Sequence, residues 1–297
     1  MNNEIINIDT NNYEAMAKAM GMSNTVSSTK EKKSSSLARF RINHTPIMGT
    51  AEVNGKQKKV EVVEGGTYKL EIPDGPTHYA SGVIFRPHMQ RLMFKKFVPA
   101  SGETKNRYVK TIMSDDLNVD LKDNDGGFNC GRRSGFIEDF SALPESDKEL
   151  IRSIKRVRVV LGTANLVNPT DETGAPVDVD ITPCIWEIEN REAFTSIGGA
   201  LAQYTKAKRL FPQHNMVLAT EQRNLPNGGN YYVPVHKIDM TDTLRIEPED
   251  QVLFGDFMQW VLNYNDYILN AWSENVHSKQ KIDVEVESFV DVEDATV

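Results

Sequence analysis

The sequence is poor in the features that most often announce a chemistry. Among 297 residues there are two cysteines, Cys130 and Cys184. That is too few for a disulfide framework or a four-cysteine zinc site, and it points to a reducing, cytoplasmic setting. No apolar run reaches the length of a membrane-spanning helix, so no membrane partner is expected. The opening MNNEIINIDT lacks a basic stretch followed by an apolar one and reads as no secretory leader. Nothing repeats at the period of a solenoid. The histidines at 44, 78, 88, 214, 236 and 277 form no HExxH pair, and none has a cysteine at zinc spacing. There is no GxSxG elbow, no phosphate loop ending in Gly-Lys-Ser/Thr, and no GxGxxG opening a helix after a strand. The carboxylate pairs Asp115-Asp116 and Asp178/Asp180 lack a third ligand and read as loop or sheet-surface acids. The chain therefore reads as a non-enzyme, with no cofactor and no metal.

What the sequence does have is an uneven distribution of charge. The net charge is −8, which alone argues against a nucleic-acid partner. Residues 1–29 carry −2, 30–110 carry +9, 111–240 carry −5 and 241–297 carry −10. A basic first half and an acidic end point to a polyanion partner or an acidic interaction tail.

Residues 1–36 are rich in Asn, Ser and Thr and read as a flexible N-terminal arm, with one short helix near 13–20. Residues 37–248 alternate polar and apolar over many short runs and read as a β-rich core. Asn54-Gly55 marks a hairpin. Helical period appears at 145–155, after Pro144, and at 191–210. Residues 249–276 read as one long amphipathic helix, on the recurrence of Val252, Leu253, Phe257, Trp260, Val261, Tyr264, Ile268 and Trp272. Residues 277–297 read as a disordered acidic tail. The fold class expected is mainly β with inserted helices (α+β), with an OB-type, Greek-key barrel core.

Three stretches could carry function. Arg86, Arg91, Lys95, Lys96, Lys105, Arg107 and Lys110 interleave with Phe85, Phe94, Phe97 and Tyr108. Basic side chains neutralise phosphates and aromatic faces stack on unpaired bases, so this is the composition of a single-strand groove. The competing reading buries the phenylalanines in the core beneath a solvated charged face. The loop GGFNCGRRSGFIEDF, from 126 to 140, offers four glycines, Arg132-Arg133, Phe128 and Phe136. Its arginines could clamp a phosphate or stack on a base, or the whole could be a packed structural turn. Lys155, Arg156 and Arg158 extend the basic character or form a solvated face. In the arm, Lys32, Lys33, Ser34 and Ser35 form a basic–hydroxyl cluster, or a plain linker. The tail acids Asp283, Glu285, Glu287, Asp291, Glu293 and Asp294 surround Phe289 with no basic residue among them. Such a tail docks on basic proteins, competes with DNA for the groove, or simply solubilises.

This layout resembles the single-stranded DNA-binding proteins of T4-type tailed bacteriophages. KKSSSLARF, 32–40, is similar to that family's basic–hydroxyl arm. RVRVVLGTANLVNPTDETGAPVDVDITPCIWEIENREAF, 156–194, is similar to its strand, acidic loop, strand and helix. The resemblance is of architecture and spacing over most of the chain. It implies an OB-type core, cooperative neighbour contacts through Lys32–Ser35, and a partner-binding tail. The family's structural zinc, held by one His and three Cys, has no counterpart in a chain with two cysteines.

The function expected is non-catalytic, largely sequence-independent coating of single-stranded DNA in phage replication, recombination and repair. The expected contacts are Arg86, Arg91, Phe94, Lys95, Lys96, Phe97, Arg107, Tyr108, Lys110, Phe128, Arg132, Arg133, Arg156 and Arg158. The tail would recruit replication or recombination proteins, and self-association would accompany binding. The alternative is a virion or complex assembly protein, followed by a nucleic-acid-processing enzyme built on the Arg132-Arg133 loop.

Overall fold

A computed structural model describes residues 20, 37–53, 56–102, 105–135, 137–226 and 228–293, with backbone alone from 279 to 293. The Lys32–Ser35 cluster, the short helix near 13–20 apart from Met20, the Asn54-Gly55 turn and Phe136 lie outside the described residues. The elements are β1 (Ala38–Ile42), β2 (Ile47–Val53), β3 (Lys56–Val63), β4 (Tyr68–Glu71), β5 (Thr77–Ala80), β6 (Gly82–Val98), β7 (Arg107–Lys110), α1 (Glu145–Ser153), β8 (Ile154–Val167), β9 (Thr182–Ile188), α2 (Arg191–Lys206), β10 (Met216–Asn224), β11 (Asn230–Ile238) and α3 (Pro248–Glu293). The fold is mixed α/β and mostly sheet. Among the described residues no helix is long and apolar enough to cross a membrane.

The chain divides into two compact units. The first holds 37–91 and 157–259, and the second holds 92–156 and the chain from 260 onward. The boundaries fall inside β6, β8 and α3, so the division is not linear in sequence.

In the first unit the sheet is open, in the order β11-β10-β6-β8-β9-β1-β4-β5. β1 is parallel to β9, and its pairing with β4 is antiparallel. β2 and β3 form a separate hairpin. Alternation drives the assembly: β1 buries Ala38 and Phe40 while Arg39 and Arg41 face out. Phe40 stacks on Tyr68 at 5.0 Å and on Phe85 at 5.6 Å, and Trp186 meets all three rings edge-on. Each such side chain contributes about 1.5–3 kcal/mol through burial. α2 lays Ala193, Ile197, Ala200, Leu201 and Tyr204 on this core, and Asn190 caps its start by accepting from the Ala193 N–H at 3.0 Å.

The start of α3 is clamped by charge. Asp250 receives both guanidinium nitrogens of Arg86 at 2.9 Å and the Glu247 N–H at 2.9 Å. His88 sits buried beside them, 3.0 Å from the Arg86 carbonyl and 3.3 Å from Asp250. Beyond that, Phe257, Val261 and Ile268 are buried at four- and seven-residue steps, as the sequence predicts. Two expectations for this segment are corrected. Val252 is two-thirds exposed, because its position lies off that stripe. The helix also does not stop near 276: its backbone continues to Glu293, so the acidic segment 277–293 is helical and not a disordered tail.

The second unit pairs the end of β6 with β7 and has a small core of Phe94, Val109, Leu121, Cys130 and Ile154, with Leu150 of α1 packed on it.

Candidate nucleic-acid interface

The β6–β7 ladder sets Lys95 opposite Lys110, Lys96 opposite Val109, Phe97 opposite Tyr108 and Val98 opposite Arg107. Side chains alternate across a strand, and directly paired residues point the same way. Lys95, Phe97, Tyr108 and Lys110 therefore share one face. Phe94, Lys96, Val98, Arg107 and Val109 share the other, which carries the core. Phe94 is 1% exposed, whereas Phe97 is 47% and Tyr108 51% exposed. The two exposed rings lie 5.2 Å apart, and Lys95 Nζ sits 4.8 Å over the Tyr108 ring.

The loop after β7 extends this face. Thr111 pairs with Asp123 and Lys122 with Phe128, both antiparallel. Thr111 follows Val109 on the core face, so Asp123 joins it there, and Lys122 and Phe128 fall on the aromatic face. Asp123 is buried and holds the loop. Its Oδ1 accepts from the Asp125 N–H at 3.0 Å and the Gly127 N–H at 2.9 Å, and its Oδ2 from the Cys130 N–H at 3.0 Å. The turn needs a left-handed backbone at Gly126 (φ +80°), where a Cβ would also press on Asn275. Trp272 of α3 backs the loop by donating Nε1–H to the Gly127 carbonyl at 3.1 Å. Lys122 Nζ lies 4.0 Å over its ring, and Phe128 meets it edge-on at 5.9 Å.

α3 also explains why the far end of the face stays open. Tyr264 Oη lies 3.3 Å from Met93 Sδ and donates to the Thr111 carbonyl at 3.1 Å. Asn265 exchanges two hydrogen bonds with the Met113 backbone. These contacts cover the face at Met93, and the positions two and four residues further along β6, Lys95 and Phe97, lie past that cover. The result is one surface bearing Lys95, Lys110 and Lys122 among Phe97, Tyr108 and Phe128.

Several expected contacts are placed elsewhere. Phe94 cannot stack on a ligand base, because strand alternation turns it into the core. Arg86 is fully engaged by Asp250, the Pro212 carbonyl at 2.7 Å and the Arg245 carbonyl at 2.9 Å, and it is structural. Arg158 is a brace: it donates to Gln90 at 2.6 Å and to the Phe194 carbonyl at 3.3 Å beneath the Phe194 ring, and burial lowers its pKa to about 10. Arg91 donates to its neighbour's carbonyl at 2.8 Å. Arg107 makes a two-pronged ion pair with Asp125, at 2.5 and 3.2 Å. Lys96 and Arg132 lie on the core-side face, and Arg133 and Arg156 are exposed. The side chains of Asp283, Glu285, Glu287, Phe289, Asp291 and Glu293, and all of Asp294, lie outside the described residues.

Lys122 and Asp123 are members of this site that the sequence alone did not single out, and Trp272, which the sequence marks only as part of the amphipathic helix, joins them. Asp-Asn-Asp-Gly-Gly is a turn signature that could have flagged Asp123. Nothing local announces that Lys122 shares a face with Tyr108. The Cys130 thiol is pushed up to about 12, mainly by burial and then by Asp123, which makes it inert as a nucleophile. Among the described residues no group of three His, Cys, Asp or Glu side chains is placed to hold a metal ion. Comparison with protein-family models, with curated proteins and with solved structures returns no match to this chain.

Proposed function

We propose that this protein binds single-stranded DNA, without catalysis and largely without sequence preference, through the Lys95–Phe97–Tyr108–Lys110 face continued by Lys122 and Phe128. The observation that carries the reading is the ladder register, which gathers two exposed aromatic rings and two lysines on one side of a sheet. Sheet aromatics stack on bases whatever their identity, and flanking lysines neutralise the backbone. Duplex DNA hides its base faces, so the single strand is the form this face recognises.

In the first unit, Tyr68 Oη donates to the Ala219 carbonyl at 2.9 Å and the Thr220 hydroxyl to the Gly66 carbonyl at 2.5 Å, tying β10 to the β4 end of the strand order. A sheet curled in this way favours the OB-type reading. The cellular role proposed is coating DNA during tailed-phage replication and recombination. The acidic segment 282–297 is proposed to recruit basic replication proteins and to compete with DNA for the lysines.

The test is fluorescence anisotropy with labelled oligo-dT and a duplex control, titrated from about 50 to about 300 mM salt. Preference for the single strand and a steep salt slope support the reading. Absence of binding at micromolar protein contradicts it. Replacing the six acids Asp283, Glu285, Glu287, Asp291, Glu293 and Asp294 by their amides is expected to tighten binding. Because the segment is helical to Glu293, substitution tests the charge without cutting the helix.

A further inference from the structure

The opposite face of the same sheet gathers positive charge that base stacking does not use. Arg132 follows the turn at Asn129–Gly131, and its guanidinium lies 5.4 Å from the centre of the buried Phe94 ring. Its Nε is buried and has no hydrogen-bond partner among the described residues. No carboxylate among the described residues pairs with it there. Burial and then the charge of Arg156 pull its pKa below the ordinary guanidinium value. Lys96 stands two residues along β6 from Phe94 on the same face, about 7 Å away. It is near enough to the Cys130 thiol to favour its ionised form, and it makes no ion pair among the described residues.

A buried donor left unmade costs about 1–3 kcal/mol, and Asp123, a buried acid on this face, is taken up by the Asp125, Gly127 and Cys130 N–H groups. Other cations of the molecule are paired with acids: Arg86 has Asp250, Arg107 has Asp125 and Arg223 has Glu192. An anion between Arg132 and Lys96 would give the Arg132 Nε–H its missing acceptor. A tetrahedral phosphate suits a guanidinium, which offers several N–H donors, with an ammonium beside it as a point charge.

We propose that Arg132 and Lys96 form a phosphate-binding site on the core-side face, separate from the Phe97–Tyr108 surface. The phosphate is either free, as an ion or a nucleotide, or a diester of nucleic acid. The site shares no residue with the stacking surface, so either can fail alone.

The test uses the full-length, 15N-labelled protein and inorganic phosphate, with ionic strength held constant by chloride. The Arg132 Nε–H resonance is expected to shift saturably, and Tm to rise saturably with it. Lys96→Gln and Arg132→Lys are each expected to weaken phosphate about 10- to 100-fold, the range for a hydrogen bond to a charged group. Arg133→Gln, at the exposed neighbour, leaves the titration unchanged. Phe97→Ala with Tyr108→Ala also leaves it unchanged, which separates this site from the stacking surface. The Nε–H reading on unmutated protein stands even if a variant fails to fold. An Arg132 Nε–H signal that does not move, or a rise in Tm that never saturates and is equal in both variants, overturns the site. Where phosphate binds, oligo-dT identifies the source: a salt slope shallower by about 0.7 per lost contact in the variants marks a diester, and an unchanged slope marks free phosphate.

Discussion

Phe94 and Phe97 lie three residues apart on one strand and have opposite fates. The first is sealed in a small core, and the second stands beside Tyr108 in solvent. The chemistry of the two side chains is identical, so composition does not distinguish them. Odd spacing puts them on opposite faces, and α3 packs against only part of the outer face. A strand with both faces aromatic and basic can therefore hold a core on one side and an open aromatic, basic surface on the other. Whether an aromatic is sealed in the core or stands in solvent is decided by register and cover.

The largest test of this contrast is stability. Phe94→Ala is expected to lose about 3–5 kcal/mol in urea unfolding, because it opens a cavity in a core with few other members. Phe97→Ala is expected to change stability by less than about 0.5 kcal/mol, as a surface substitution does. Equal losses would erase the distinction between the faces. Binding inverts the order: Phe97→Ala and Tyr108→Ala are each expected to weaken oligo-dT by about 1–3 kcal/mol, the worth of one stacked base. A smaller effect sharpens the outline of the face. Lys110→Gln is expected to flatten the salt slope by about 0.7, whereas Arg107→Gln leaves it nearly unchanged because Asp125 already holds that charge.

The smallest effect separates fold from face by pH. Burial holds His44, His88 and His236 below the ordinary value of 6.5. Each binds a proton more weakly in the folded chain than in the unfolded one. Their contribution is complete above about pH 6.5 and is lost as pH falls below it. Urea midpoints are expected to drop between pH 7 and pH 5, and His88→Gln to make that drop shallower. None of the six residues of the stacking face is a histidine, so oligo-dT affinity is expected to follow the fold and show no histidine titration of its own.

Much of the scaffold was legible in the sequence. The strands around Asn54-Gly55, the helices at Glu145–Ser153 and Arg191–Lys206, and the buried stripe of Phe257, Val261 and Ile268 all follow from local periodicity. The face was not legible. Between Phe94 and Phe97, basic and aromatic residues occupy both parities, so alternation alone does not say which side is inside. Long-range partners were equally invisible. Arg86 reads as an unpaired cation until Asp250, 164 residues away, closes on it. Lys122 looks isolated until the ladder pairs it with Phe128. The end of α3 misled for a related reason, since six acids and no basic residue after Ile282 suggested a tail where the backbone stays helical to Glu293.

The most direct measurement compares oligo-dT affinity of the unmutated protein with that of the doubly substituted Phe97→Ala, Tyr108→Ala protein, both checked for an unchanged unfolding midpoint. The double substitution is expected to lose about 2–6 kcal/mol of binding while the fold is untouched. Undiminished affinity in a fully folded double variant would contradict it, and the face would then be a surface without a strand to bind.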